Sequence, residues 1–500
     1  MKKHRVQQWQ QKCWMLALML LGAGTFLLSA QDYRSEFERF KRERQQEFED
    51  HYAKANAEFT KHLKDAWAEF VLLPAEPLKP GPKPKAAPVA PPRPELDDPT
   101  IDLPDLDLPD AGELNLESIP IPRVKPITLP PTQPREPRFE WLFYGIPVEI
   151  AKPRQALSLS GITEQQLSDA WEDCADGRFN AALADLKNYR EQYRMADWPY
   201  YLLTQAYARQ CSASNNEQVL IQFYLMTQSG YSTRLMRCGE GVYLLMSSTN
   251  RIAERSMFSL DNRFFYVMDP AFKSSGKPCY ICDFKFPNEQ HMDLFMAAPP
   301  KFPTTGKEEV RTIVSRRYPQ VQLKMTVNPN LKAFYQTYPL SNDFNVYSAS
   351  LLSEPNMQLM EDCLRPMIQG KSQKEAANLL INLVQTGFEY KTDGEQFGRE
   401  RPMFSEELFF YPYCDCEDRS ALYALLVREL LELDVLLVHY PGHLATAVCF
   451  TEPVQGAHFD YQGKTYVICD PTYIGADVGL QMPDMTQVEG VYPSSGTIQR

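Results

Sequence analysis

Residues 411–448 read YPYCDCEDRSALYALLVRELLELDVLLVHYPGHLATAV, and residues 469–479 read CDPTYIGADVG. Apolar residues at 422, 425, 426, 430 and 433 predict a helix from Ser420 to Leu433 with one face toward a core. Val435–His439 reads as a strand, Pro441-Gly442 as a turn, and Leu444–Phe450 as a second strand. Gln462-Gly463-Lys464 turns the chain again, and Thr465–Cys469 runs into Asp470-Pro471, where the proline stops the strand. Three polar residues therefore stand at the ends of apolar elements: Cys416, His443 and Asp470. A nucleophile site needs this placement, because it gathers groups distant in sequence onto the ends of rigid elements. Cys416 is the candidate nucleophile, His443 the general base, and Asp470 the acid that orients the imidazole. The free N–H groups and positive dipole end at the start of a helix predict a lowered thiol pKa for Cys416. Cys416 is preferred to Cys414 because it has an acid two residues on and the helix start behind it.

Two other readings use the same residue types. Glu417 and Asp418 serve equally well as helix-capping acids. Cys279-Tyr-Ile-Cys282, or Cys414 and Cys416 with His443, offer zinc-type ligands. A zinc ribbon wants two Cys-x-x-Cys units, and only one is present, so no metal is expected. Buried thiols or a disulfide suit these cysteines better, and the pairing is not deducible from sequence.

Cys416-Glu-Asp-Arg-Ser-Ala421, Gly442-His443-Leu-Ala-Thr-Ala-Val448 and Asp470-Pro-Thr472 together resemble the three signature segments of the transglutaminase-like superfamily. The resemblance covers roughly Asn345 to Ala476. It implies an α+β fold with a papain-like core, a catalytic helix packed on an antiparallel sheet, here preceded by a helical and a β-hairpin region. It also implies a thioester intermediate on Cys416, resolved by water in a protease or amidase and by an amine in a cross-linker. Leu444 stands where the family usually carries an aromatic residue. The backbone N–H of Cys416 is the default oxyanion donor, and Gln396 or Tyr413 are candidates to add a side chain. Animal relatives need calcium, but no EF-hand-like spacing occurs here and no cofactor is expected. The alternative reading is a catalytically silent scaffold or protein-binding module on the same fold.

The remainder of the 500 residues concerns delivery. The net charge is −12, and the first thirty residues hold four Lys/Arg and no acid, so the rest is more acidic still. A broad nucleic-acid surface is excluded on that balance. Lys2, Lys3 and Arg5, an apolar run from Trp14 to Leu28, and Ser29-Ala30 read as a secretory signal over 1–30. The run is short for a membrane span, so contact with a membrane is expected only if this segment stays uncleaved. Residues 31–73 carry an aromatic stripe (Tyr33, Phe37, Phe40, Phe48, Tyr52, Phe59, Leu63, Trp67, Phe70) at helical spacing and predict one charged helix, a candidate surface for an envelope partner. Residues 74–137 hold 19 of the forty prolines and predict an extended spacer, or else an arm lying on the surface. A helical region (138–230), a β-rich region (231–340) and the transglutaminase-like domain (341–500) follow. The expected setting is the bacterial periplasm or cell envelope, with a protein or peptide as substrate.

Overall fold

The computed structural model describes residues 53–65, 67–79, 83–92, 137–306, 309–483 and 485–494. The signal segment, the start of the 31–73 helix and spacer residues 93–136 lie outside the described residues. The chain divides into two units, Met1–Asp65 and Ala66–Arg500. In the first, residues 53–64 are helical and bury Ala55, Phe59 and Leu63, spaced four residues apart, while Lys54 pairs with Glu58 across one exposed turn.

The aromatic stripe does not continue as helix to residue 73. Ala68–Glu69 is a strand (β1) that pairs antiparallel with Ile281 and Tyr280, and Leu73 bridges Met257. Phe70 and Leu72 pack into the core of the sheet they join, and Trp67 lies under the Arg237 guanidinium. Phe70 and Leu72 also alternate, and a sheet edge rewards that period-two pattern with backbone bonds and one buried face. The described parts of the proline-rich stretch are an arm on the body of the protein. Glu254 N–H donates to the Glu76 carbonyl, Lys79 N–H to Asn342 Oδ1, and Ala90 N–H to the Ile474 carbonyl, at 2.7–2.8 Å.

The region from 138 opens with a hairpin, β2 (Arg138–Phe143) and β3 (Ile146–Ala151), turned through Tyr144 and Gly145, both at positive φ. Four helices follow, Glu164–Ala175, Asn180–Gln192, Asp197–Cys211 and Asn215–Gln228, the first opened by a Thr163–Gln166 capping box. Strands β4 (Thr233–Cys238), β5 (Gly241–Ser247), β6 (Met257–Leu260), β7 (Arg263–Val267) and β8 (Cys279–Cys282) then form a sheet of order β1-β8-β4-β5-β7-β6. A separate hairpin, β9 (Glu309–Val314) and β10 (Gln322–Val327), leads into the C-terminal part.

There the helices Glu354–Ile368 and Gln373–Gly387 precede a short parallel pair, β11 (Glu389–Tyr390) and β12 (Tyr413–Cys414). The helix Cys416–Leu431 comes next, and then β13 (Asp434–Tyr440), β14 (His443–Cys449), β15 (His458–Tyr461), β16 (Lys464–Cys469) and β17 (Gly490–Pro493). These strands form an antiparallel sheet of order β15-β16-β14-β13-β17. One face carries Leu437, Leu444, Val448 and Val467 into a core shared with Leu422, Leu425 and Leu426 of the Cys416 helix and Leu380 and Val384 of the helix before it. The other face carries Leu436, Val438, Ala447 and Ile468 into a second core. Burial on both faces is why 435–438 reads as an unbroken apolar run rather than an alternating one. Each fully buried leucine contributes about 1.5–3 kcal/mol, which fixes the Cys416 helix against the sheet. The fold is α+β. Among the described residues no helix is long and apolar enough to cross a membrane.

Cys238 and Cys279 face each other directly across β4 and β8, with Sγ atoms 2.8 Å apart. Treatment with diamide, which takes two electrons and two protons from a thiol pair, is expected to join them. A non-reducing peptide map should then show the Cys238–Cys279 link ahead of any link to Cys174 or Cys469, and its absence would count against this register.

Candidate active site

The head of the Cys416 helix is built from acids. Asp415 occupies the N-cap, and its backbone N–H donates to Asp418 Oδ2 at 3.3 Å. Asp418 Oδ1 accepts from Met403 N–H at 2.8 Å, and Asp415 Oδ2 accepts from Asp393 N–H at 3.2 Å. These carboxylates satisfy backbone donors at the helix start, as the capping reading of Asp418 expects. They also crowd like charges out of water. Burial and mutual repulsion push Asp393 up to about 9, and hold Asp415 and Asp418 well above the usual carboxylate range.

The cation in this cluster is Lys83, from the proline-rich arm. Its ammonium lies 2.7 Å from Asp415 Oδ2, 2.9 Å from Glu400 Oε2 and 3.7 Å from Asp393 Oδ2, and it also binds Glu417 Oε1. The Lys83 side chain is 1% exposed. The groups close enough to share a metal ion are drawn from these same acids and Cys416, and none includes Cys279 or Cys282 among the described residues.

Cys416 is fully buried, and its thiol donates to Glu417 Oε2 at 3.1 Å. Burial first, and then the Glu417 carboxylate, push its pKa well up, with Lys83 pulling against them. The lowered pKa expected from the helix start is therefore not found. Desolvation and adjacent negative charge outweigh a dipole effect that is worth only about 0.3–1 kcal/mol when exposed.

His443 opens β14 and Asp470 follows β16. His443 Nε2 lies 2.9 Å from Asp470 Oδ2, while Asp470 Oδ1 accepts from Thr472 N–H at 2.8 Å and Tyr473 N–H at 3.2 Å. The carboxylate is thus held at both oxygens. It favours the Nε2–H tautomer and leaves Nδ1, which is buried with no hydrogen-bond partner, as the basic nitrogen. The helix and the strand are locked at this level: Ser420, one turn after Cys416, donates from Oγ to the carbonyl of Leu444, the residue after His443, at 2.9 Å. His443 and Asp470 are in direct contact, and Cys416 heads the helix joined to their sheet, with its thiol on Glu417.

Gln396 gives its amide to the Tyr413 carbonyl at 3.3 Å, and the Tyr413 ring lies under the Lys391 ammonium. Neither contact engages Cys416; both lie within the stretch that precedes its helix. Comparison with protein-family models, with curated proteins and with solved structures finds no match to this chain.

Three supporting residues escaped the sequence reading. Gln385 is buried on the preceding helix, and its amide donates to the carbonyls of Asp470, Tyr473 and Ala476 at 2.8–3.1 Å while its Oε1 accepts from Gly475 N–H. Arg419 is fully buried and spends its guanidinium on Cys414 Sγ and the carbonyls of Gln385 and Phe388. Lys83 lay in what read as a spacer. Only Arg419 carried a signal, a charge inside an apolar helix.

Two outcomes are expected. Gln385→Leu keeps the volume but strips the donor from three buried carbonyls, and should cost about 2–4 kcal/mol in urea unfolding. A loss below about 0.5 kcal/mol would remove the bracing role. His439, buried on β13 beside Glu489, is pushed down to about 4 by burial, with Lys79 and His443 adding to the shift. Its folded pKa is below its ordinary value, so the unfolded chain takes the proton first. Stability is then fully present above about pH 6.5 and lost as pH falls toward 4. His439→Gln should remove about 2 kcal/mol of that acid sensitivity, read as the difference between melts at the two ends of the range.

Proposed function

We propose that this chain is an exported cysteine enzyme of the transglutaminase-like type, with a papain-like core, acting on amide bonds of a protein or peptide in the bacterial periplasm or cell envelope. The observation that carries the reading is the His443–Asp470 pair at 2.9 Å, on strands whose sheet is hydrogen-bonded through Ser420 and Leu444 to the helix that Cys416 opens. The export reading rests on residues 1–30 of the sequence.

In this mechanism the Cys416 thiol leaves Glu417 and gives its proton to Nδ1 of His443, with Asp470 stabilising the imidazolium. The thiolate attacks the amide carbonyl carbon. The C–N bond breaks, the amine departs with the proton from His443, and a thioester remains on Cys416. Water or a second amine then attacks the thioester and restores the thiol. The Cys416 backbone N–H, at the first position of the helix, is the expected oxyanion donor. No cofactor enters these steps.

A scaffold reading is favoured by one observation: the thiol is fully buried and bonded to Glu417. A panel of fluorogenic peptide amides with and without an amine acceptor separates the two. Turnover should fall at least about a hundredfold in Cys416→Ala and in His443→Ala, with an acyl adduct on Cys416 in wild-type protein by mass spectrometry. Equal turnover in wild type and Cys416→Ala would leave the scaffold.

A further inference from the structure

The same Glu417 carboxylate that accepts the Cys416 thiol on Oε2 binds the Lys83 ammonium on Oε1. The nucleophile and a lysine from more than three hundred positions earlier therefore share one residue. Taking an ammonium out of water costs several kcal/mol, and only close carboxylates offset it. Here the carboxyl oxygens of Asp393, Glu400, Asp415 and Glu417 surround it, a set of acceptors that suits an ammonium better than any neutral group.

The other end of the segment is fastened beside the acid of the site. Ala90 N–H donates to the Ile474 carbonyl, and Ile474 N–H to the Pro88 carbonyl, both at 2.8 Å. Ile474 lies in the loop that follows Asp470. Residues 83–92 thus run from the head of the Cys416 helix to the loop after β16, and the Lys83-to-Ala90 span is about 20 Å of extended chain at ~3.1 Å per residue. Cys416, His443 and Asp470 are all buried. Yet the segment is held thinly: Pro84, Lys85, Ala86 and Val89 are exposed, and Lys83 is its deeply buried side chain. Few buried contacts and one short bridge are the marks of a segment that opens locally.

We propose that the acidic pocket at the head of the Cys416 helix is a binding site for a lysine ammonium carried on an extended, proline-rich peptide, and that the chain fills it with its own Lys83, keeping the thiol covered until the segment lifts. The inference rests on the cysteine-enzyme reading for its purpose, but not for its geometry. A peptide with a lysine beside prolines is the class of ligand that displaces the segment and takes its place.

The test uses the full chain. Lys83→Glu puts a further carboxylate among four and should drive the segment out. Iodoacetamide labelling of Cys416 at near-neutral pH, followed by peptide mass spectrometry with Cys449 as internal reference, should then rise about tenfold or more. Amide exchange at Ala90 and Ile474 should quicken with it. A synthetic peptide of residues 79–92 should restore slow labelling to Lys83→Glu, and the same peptide with Lys83→Met should not. Ala90→Pro removes the N–H at the far end and leaves the pocket intact, so it keeps the test decisive if Lys83→Glu does not fold, and it too should speed labelling. Cys416 labelling within about twofold of wild type in every folded variant, or protection by the Lys83→Met peptide, overturns the proposal. These readouts need no turnover: faster labelling in Lys83→Glu together with no effect of His443→Ala on peptide hydrolysis would uphold the covered pocket and sink the enzyme reading.

Discussion

The head of the Cys416 helix must hold several carboxylates away from water, and much of the C-terminal architecture answers that demand. Asp415 and Asp418 cap the helix and the loop before it, Asp393 is bonded to the Arg401 N–H, and Lys83 supplies the ammonium at the centre. Without a cation there, the cluster would have to take up still more protons, or water. A helix buried on nearly all sides between another helix and a sheet has no surface on which to shed that charge. The proline-rich arm therefore completes the folded structure as well as connecting it.

This arrangement also sets the state of the candidate nucleophile. The thiol is protonated, bonded to Glu417 and fully buried, while the imidazole is oriented by an acid held at both oxygens. The His443–Asp470 pair is formed, while the candidate nucleophile stays on Glu417. The bond from Ser420 to Leu444 keeps the helix head and the strand mouth at one level. Gln385 braces the loop after Asp470 from a third element.

Local pattern was enough to read several parts of the fold. The capping boxes at Thr163 and Ser372, the Asp261-Asn262 turn with both residues at positive φ, and the apolar runs of β13 and β14 each carry their cause within a few residues. Asp470-Pro471 likewise marks a strand end wherever it is packed. The misreadings arose where two periods competed or where a partner lay far off. Trp67 to Leu72 fits a helix until the edge of β8 offers backbone partners. The hairpin β2–β3 lies inside the span 138–230 that helical periodicity dominates, although Tyr144-Gly145 marks its turn.

What the sequence by itself determined is the kind of residue at each element end: a cysteine opening a helix, a histidine opening a strand and an aspartate closing one. Helix periodicity, turn residues and proline are local causes, and they act within a few positions. What only the tertiary structure decided is the chemistry those residues display. Burial and the charge of Glu417 raise the thiol where the helix start alone would lower it, and both depend on neighbours brought together by folding. Lys83 reaches Glu417 across 334 positions of sequence. No local pattern records that contact, because a buried ion pair is selected by the desolvation cost of its surroundings and not by the residues beside it in the chain.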